Sequence, residues 1–196
     1  MKYYFKQPKI CANLIIMSFV WLTTAFSYYL ILSLINTFSD IYVTGLTSSG
    51  SEMIAYVVSG LVYERIGPKL SLIISFAISA IGGIMILSWG LKHQDSPVFF
   101  VFFLLAKFGI SCTFNINYTA NSFFFPTLFA ATAIGICNFG ARLVTSFTYP
   151  VSMLDEPWPM ILFTGLCCLT CLLSFFLRTE KEEKTQNDKK ISKTYE

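Results

Sequence analysis

Long apolar stretches separated by short polar breaks dominate this chain. Ile10 to Ser39 contains no charged residue, and Leu70 to Leu91, Phe108 to Ala141 and Pro157 to Leu177 are also free of charge. A helix needs roughly 20 mostly apolar residues to cross a bilayer, so each run holds at least one candidate crossing. Turn residues and charges form the breaks: Asp40, Gly67-Pro68, Asp95-Ser96-Pro97, Pro126 and Asp155-Glu156-Pro157-Trp158-Pro159. The pattern predicts six spans at about 11–36, 43–63, 69–90, 97–119, 125–148 and 158–177. Barrel strands would alternate with a period of two over short segments. These runs are too long and too uniformly apolar for that. Lys2, Lys6 and Lys9 precede the first run in the manner of a secretory leader. That run is too long for a leader and has no A-x-A-like cleavage site, so a retained first span is expected.

Composition narrows the class. The 196 residues are 55% hydrophobic and 13% charged, where a soluble domain carries about 25% charge. Eleven of the charged residues fall between Arg178 and Glu196. Too few remain to cover the surface of a soluble globule, and the apolar content excludes a disordered chain. The six cysteines lie inside apolar runs, unlike those of a disulfide scaffold. The expected fold is an all-α membrane protein, a bundle of six transmembrane helices. It would have a cytosolic segment at 1–10, the bundle at 11–178 and a charged cytosolic tail at 179–196.

Basic residues set the expected orientation. Eleven lie on one side, in the N-terminal segment, at Arg65 and Lys69, and in the tail, whereas only Lys92 lies on the other. The positive-inside rule then places both termini in the cytosol of a multi-pass protein of the plasma membrane or an internal membrane. The net charge of +3 is thus a topology signal, and nucleic acid is not an expected partner.

Three ionisable residues fall inside predicted spans, where they usually face a bundle interior or a wet cavity. Each belongs to a polar stripe at helical spacing. The stripes are Ser48, Glu52, Tyr56 and Ser59; Lys107, Ser111, Asn115 and Tyr118; and Asn138, Arg142, Thr145 and Tyr149. Three such stripes predict a shared polar cavity with Tyr28 nearby. One carboxylate cannot neutralise two cations, and the leftover positive charge suits an anionic group on a solute. The alternative is a structural network of charges and hydrogen bonds with no ligand. Lys107 has a further option, since a long side chain can snorkel to an interface.

Other motifs carry less. Ser71, Ser75, Ser79 and Gly82-Gly83 form a small-residue face expected in close helix packing. Cys168 and Cys171 lack a histidine or acidic neighbour in sequence, so no metal or redox use is expected. Asn117-Tyr118-Thr119 matches a glycosylation sequon, but it falls in or beside a span, where no glycan is expected. His93 is the sole histidine, and no catalytic constellation accompanies it. Neither enzymatic activity nor a cofactor is expected.

The connector after the second span runs from Gly60 through Glu64, Arg65 and Gly67 to Lys69. It resembles the G-x-x-x-[DE]-R-x-G-x-[RK] loop of the major facilitator superfamily. Gly60 is expected to permit close packing and Gly67 to make a tight turn. Further segments are similar to the organic cation, organic anion and carnitine branch of that superfamily. These are Glu52-Met53-Ile54-Ala55, where Ile54 replaces a proline, Ala106-Lys107-Phe108-Gly109-Ile110 with Asn115 and Tyr118, Phe125-Pro126-Thr127, and Ala141-Arg142 before Tyr149-Pro150. The resemblance covers about residues 11–178 and matches the second six of the family's twelve spans. It implies a secondary carrier for a small organic solute, and arginine at position 142 implies an anion or zwitterion. Three arrangements follow: a homodimer of half-transporters, a chain lacking the family's first half, or a non-transporting protein packed against a partner. The lipid bilayer is the surrounding partner in each.

Overall fold

A computed structural model describes residues 8–34, 41–90, 96–125 and 127–177. All its regular elements are helices: α1 (Pro8–Leu34), α2 (Ile41–Ile66), α3 (Pro68–Ser88), α4 (Pro97–Phe124), α5 (Thr127–Thr145), α6 (Thr148–Ser152) and α7 (Trp158–Ser174). The breaks at Asp40, Asp95 and Pro126, the residue His93 and the charged tail lie outside the described residues.

Local chemistry explains the helix boundaries. Gly67 alone separates α2 from α3 and adopts φ +82°, a conformation that carries little penalty without a Cβ. Pro68 follows at the first position of α3, where its missing N–H leaves no bond unmade. Pro97 has the same place in α4, and Ser96 caps that helix by accepting from Val98 N at 3.3 Å. The helix α4 runs to Phe124, past the expected end at 119. Its polar last turns stay helical, with Asn121 Nδ2 donating to the Asn117 carbonyl at 3.1 Å.

The fifth predicted span is interrupted near its end. It was expected to continue to 148, but α5 ends at Thr145 and a turn separates it from α6. Pro150 supplies the reason: it has no N–H to donate to the carbonyl of Ser146, and its ring crowds that carbonyl. Tyr149, read as the last member of an α5 stripe, therefore sits on α6.

Helices α1 and α4 form the middle of the bundle. On one side, α4 packs extensively against α3, and α3 against α7; on the other, α2 lies along α4 and α5 along α1. The α3–α4 contact is close because small residues face one another. A Cβ on Gly82 would lie 2.6 Å from Ala106 N, and one on Gly109 would lie 2.8 Å from the Ser75 carbonyl oxygen. Ser79 Oγ also donates to the Ala106 carbonyl at 3.0 Å. The expected packing face of α3 is therefore present, and Gly109 on α4 completes it.

Gly60 behaves differently from the expectation. No atom lies within 4 Å of where its Cβ would stand, so it marks no close helix contact among the described residues. By length and composition, α1 over Ile10–Leu34, α3 and α4 are long and apolar enough to cross a membrane. The apolar parts of α5 (Phe129–Thr145) and α7 are shorter. In α2, the polar stretch Thr44 to Glu52 dilutes an otherwise apolar helix.

Candidate functional site

The face of α1 and α4 between α2 and α5 carries the charged and aromatic groups. Lys107 sits on α4 with only 2% of its side chain exposed, and its Nζ lies 3.3 Å from Glu52 Oε2 on α2. It does not snorkel. Glu52 Oε1 accepts from Tyr28 Oη of α1 at 2.7 Å and also from Tyr56 Oη one turn along α2. Both carboxylate oxygens are therefore engaged. The Lys107 ammonium also lies 5.1 Å from the centroid of the Tyr28 ring, within range of a cation–π attraction. Tyr28 thus touches both partners of the ion pair.

Two turns further along α4, Asn115 Nδ2 donates to Ser59 Oγ at 2.8 Å and to the Tyr56 carbonyl at 3.2 Å. Cys112 Sγ donates to the Ala55 carbonyl at 3.4 Å. The α2–α4 seam is consequently joined by polar groups at successive turns. These contacts bring together Glu52, Lys107, Tyr28, Tyr56 and Asn115, all five expected at a shared site.

Arg142 is placed separately. It is exposed on the last turn of α5, and its Nη1 donates to Tyr29 Oη at 2.9 Å. The guanidinium carbon lies 6.0 Å from the Tyr29 ring centroid. No carboxylate pairs with it among the described residues. Its link to the charged cluster is aromatic: Tyr29 meets Tyr28 edge-on at 5.4 Å between centroids. Consecutive helical residues point about 100° apart, so the Tyr28-Tyr29 pair reaches toward α2 with one ring and toward α5 with the other. Tyr29 was not among the expected site residues. The adjacent pair was visible in the sequence, but which helix lay beside each ring was not.

Asn138 is half-buried on α5, one turn before Arg142, with no side-chain hydrogen bond among the described residues. The loop motif splits by position. Glu64 and Arg65 are exposed at the end of α2, Gly67 makes the turn, and Lys69 lies half-buried in the first turn of α3. The sequon residue Asn117 is buried at 1% exposure, with Nδ2 donating to Thr24 Oγ1 at 2.9 Å.

Among the described residues the site thus holds one balanced pair of charges and one cation without an acidic partner, separated by two tyrosine rings. An organic solute bearing a carboxylate would match the cation, and its body would match the rings.

Comparisons with known proteins agree with this architecture. A sequence model described as the Major Facilitator Superfamily matches residues 10–194. The chain is 26% identical over 163 residues to human organic cation/carnitine transporter 2, covering 81% of this chain and 29% of that protein. It is 25% identical over 178 residues to human solute carrier family 22 member 13, covering 88% of this chain and 32% of the relative. Solute carrier family 22 member 6 of Pseudopleuronectes americanus is 26% identical over 179 residues, covering 88% of this chain and 31% of the relative. The chain thus spans under a third of the length of these curated relatives. With the family match running through nearly all of an all-helical, multi-pass membrane bundle, the chain belongs to the major facilitator superfamily.

Proposed function

We propose that this chain serves as half of a secondary carrier for a small organic anion or zwitterion, not as an enzyme. One observation carries the proposal: among the described residues, Glu52 is fully engaged by Lys107, Tyr28 and Tyr56, whereas the exposed Arg142 guanidinium has only a neutral tyrosine. The unbalanced cation is therefore Arg142, and it would hold the anionic group of the solute. Asn138 would add a neutral hydrogen-bonding contact one turn away. The names of the relatives, which include organic cation/carnitine transporters, support a solute with an organic body.

Six crossings with both termini in the cytosol are part of this reading. They are supported by the charge asymmetry of the sequence and by three helices of spanning length and apolarity. Carriers of this superfamily rock one six-helix bundle against another around a midplane site. A second bundle would complete the cavity, supplied either by a second copy in the same orientation or by the family's other half. The competing reading is a non-transporting derivative held in a membrane assembly, for which the buried Glu52–Lys107 pair would be purely structural.

Reconstitution into liposomes tests the proposal. Uptake of an organic monocarboxylate and a carboxylate zwitterion is expected to exceed that of a permanent organic cation. Uptake confined to the cation would contradict the anion assignment. No uptake and no thermal stabilisation by any of the three would favour the non-transporting reading.

A further inference from the structure

A second polar group lies between α1 and α4, apart from the ion pair. The Thr24 hydroxyl donates to the Val20 carbonyl at 2.7 Å, so the proton of the Thr24–Asn117 bond must come from the amide. Asn117 Nδ2 supplies it at 2.9 Å. This fixes the amide, with nitrogen toward Thr24 and Oδ1 turned away. Asn121 Nδ2 donates to the Asn117 carbonyl at 3.1 Å. A carbonyl can only accept, so Asn121 Oδ1 is also turned away. Among the described residues neither amide oxygen has a donor, and the indole Nε1 of Trp21 has no acceptor. Trp21, Asn117 and Asn121 are 3%, 1% and 0% exposed.

The helix register brings these atoms to one stretch of the seam. Tyr28 meets Phe114 at 5.1 Å between ring centroids, Thr24 bonds Asn117, and Trp21 meets Tyr118 at 4.7 Å. Each step toward the start of α1 is thus a step toward the end of α4, which brings Trp21 to the level of Asn117 and Asn121.

Buried polar groups in folded proteins nearly always have partners. Here the unmet set is one N–H donor and two oxygen acceptors. A metal ion would suit the oxygens but would face the N–H. An anion would suit the N–H but would face two oxygens. A water molecule can accept one hydrogen bond and donate two, and buried waters make about three. We propose that Trp21 Nε1, Asn117 Oδ1 and Asn121 Oδ1 hold one neutral hydroxylic ligand, a water molecule that bridges α1 and α4. The aromatic rings of Tyr28, Phe114, Tyr118 and Trp21 form a line between this site and the Glu52–Lys107 pair. The water site does not depend on the chain carrying a solute.

The test uses the full chain in lipid nanodiscs with 15N-labelled tryptophan. Trp21, Trp89 and Trp158 supply three indole N–H signals. The Trp21 signal is expected to show a hydrogen-bond shift and magnetisation transfer from a long-lived water, equally in sodium and choline buffers. In Asn121→Leu both features should be lost while the Trp89 and Trp158 signals stay in place. An unbonded Trp21 indole in the unmodified chain would overturn the proposal, as a dry seam. A signal that moves between sodium and choline would overturn it in favour of a cation. A folded Asn121→Leu variant with the Trp21 signal unchanged would also overturn it. The unmodified chain decides the matter even if the variant does not fold.

Discussion

Helix α4 presents two unlike seams to its neighbours. Toward α3 it offers Ala106 and Gly109, and the backbones approach until no Cβ fits at Gly82 or Gly109. Toward α2 it offers Lys107, Cys112 and Asn115, and the contact is made by an ion pair and side-chain hydrogen bonds. Close packing of small residues is a usual way for helices to associate in lipid, where apolar surface gains little from leaving the solvent. It gives a seam with one stable arrangement. The α2 seam depends on charge balance, so its stability follows the chemistry of the groups within it. In the proposed carrier, the α3 seam would serve as a fixed frame and the α2 seam as a face whose charges can answer a solute.

The largest expected effect lies on the polar side. Replacing Lys107 by methionine leaves Glu52 without its cation and should destabilise the fold by about 3 kcal/mol, the low end of the range for breaking a buried pair, because Glu52 keeps 17% of its side chain exposed. Adding Glu52→Gln should recover much of that loss, because the glutamine carbonyl can still accept from the tyrosines and no unpaired charge remains. Thermal unfolding in detergent reads both variants. If the double variant is no more stable than Lys107→Met, charge balance does not hold this seam.

A smaller effect is expected on the dry side. Gly109→Val places methyl groups where Ser75 and Ser79 already stand. Overpacking of this kind typically costs about 1–3 kcal/mol. A melting temperature equal to that of the unmodified chain would show that the seam has room to shift. Gly60→Ala should have the smallest effect and the opposite sign. Its site is open and helical, so alanine should raise stability by up to about 1 kcal/mol. A clear loss there would show that Gly60 meets a surface lying beyond this bundle.

The same contrast explains what was legible in the sequence. The helices follow from charge-free runs and from breakers such as Gly67, and the polar stripes of α2 and α4 follow from spacing alone. That Glu52 would balance one of two cations was legible; that the cation is Lys107 depends on α2 lying along α4. Three further features were not legible. The fold places Tyr29 beside Arg142, and that contact depends on how α1 lies against α5. The close approach at Gly109 requires two helices, and only the Gly82-Gly83 side was readable as a motif. The end of α5 was signalled by Pro150, but the signal stands five residues after Thr145, beyond the uncharged residues Ser146 to Tyr149 that continue the run. The loop motif picked out Gly60 but not its packing, since a motif carries no account of what stands opposite.

The central claim is that Arg142 is the unbalanced cation of this face. Its most direct test is solute-dependent thermal stabilisation of the purified chain and of Arg142→Ala and Arg142→Asp, using an organic monocarboxylate and an organic cation. The account predicts that the carboxylate stabilises the unmodified chain and loses at least tenfold in affinity in Arg142→Ala. It also predicts that Arg142→Asp reverses the preference toward the cation. Equal stabilisation of all three proteins by the carboxylate would contradict it.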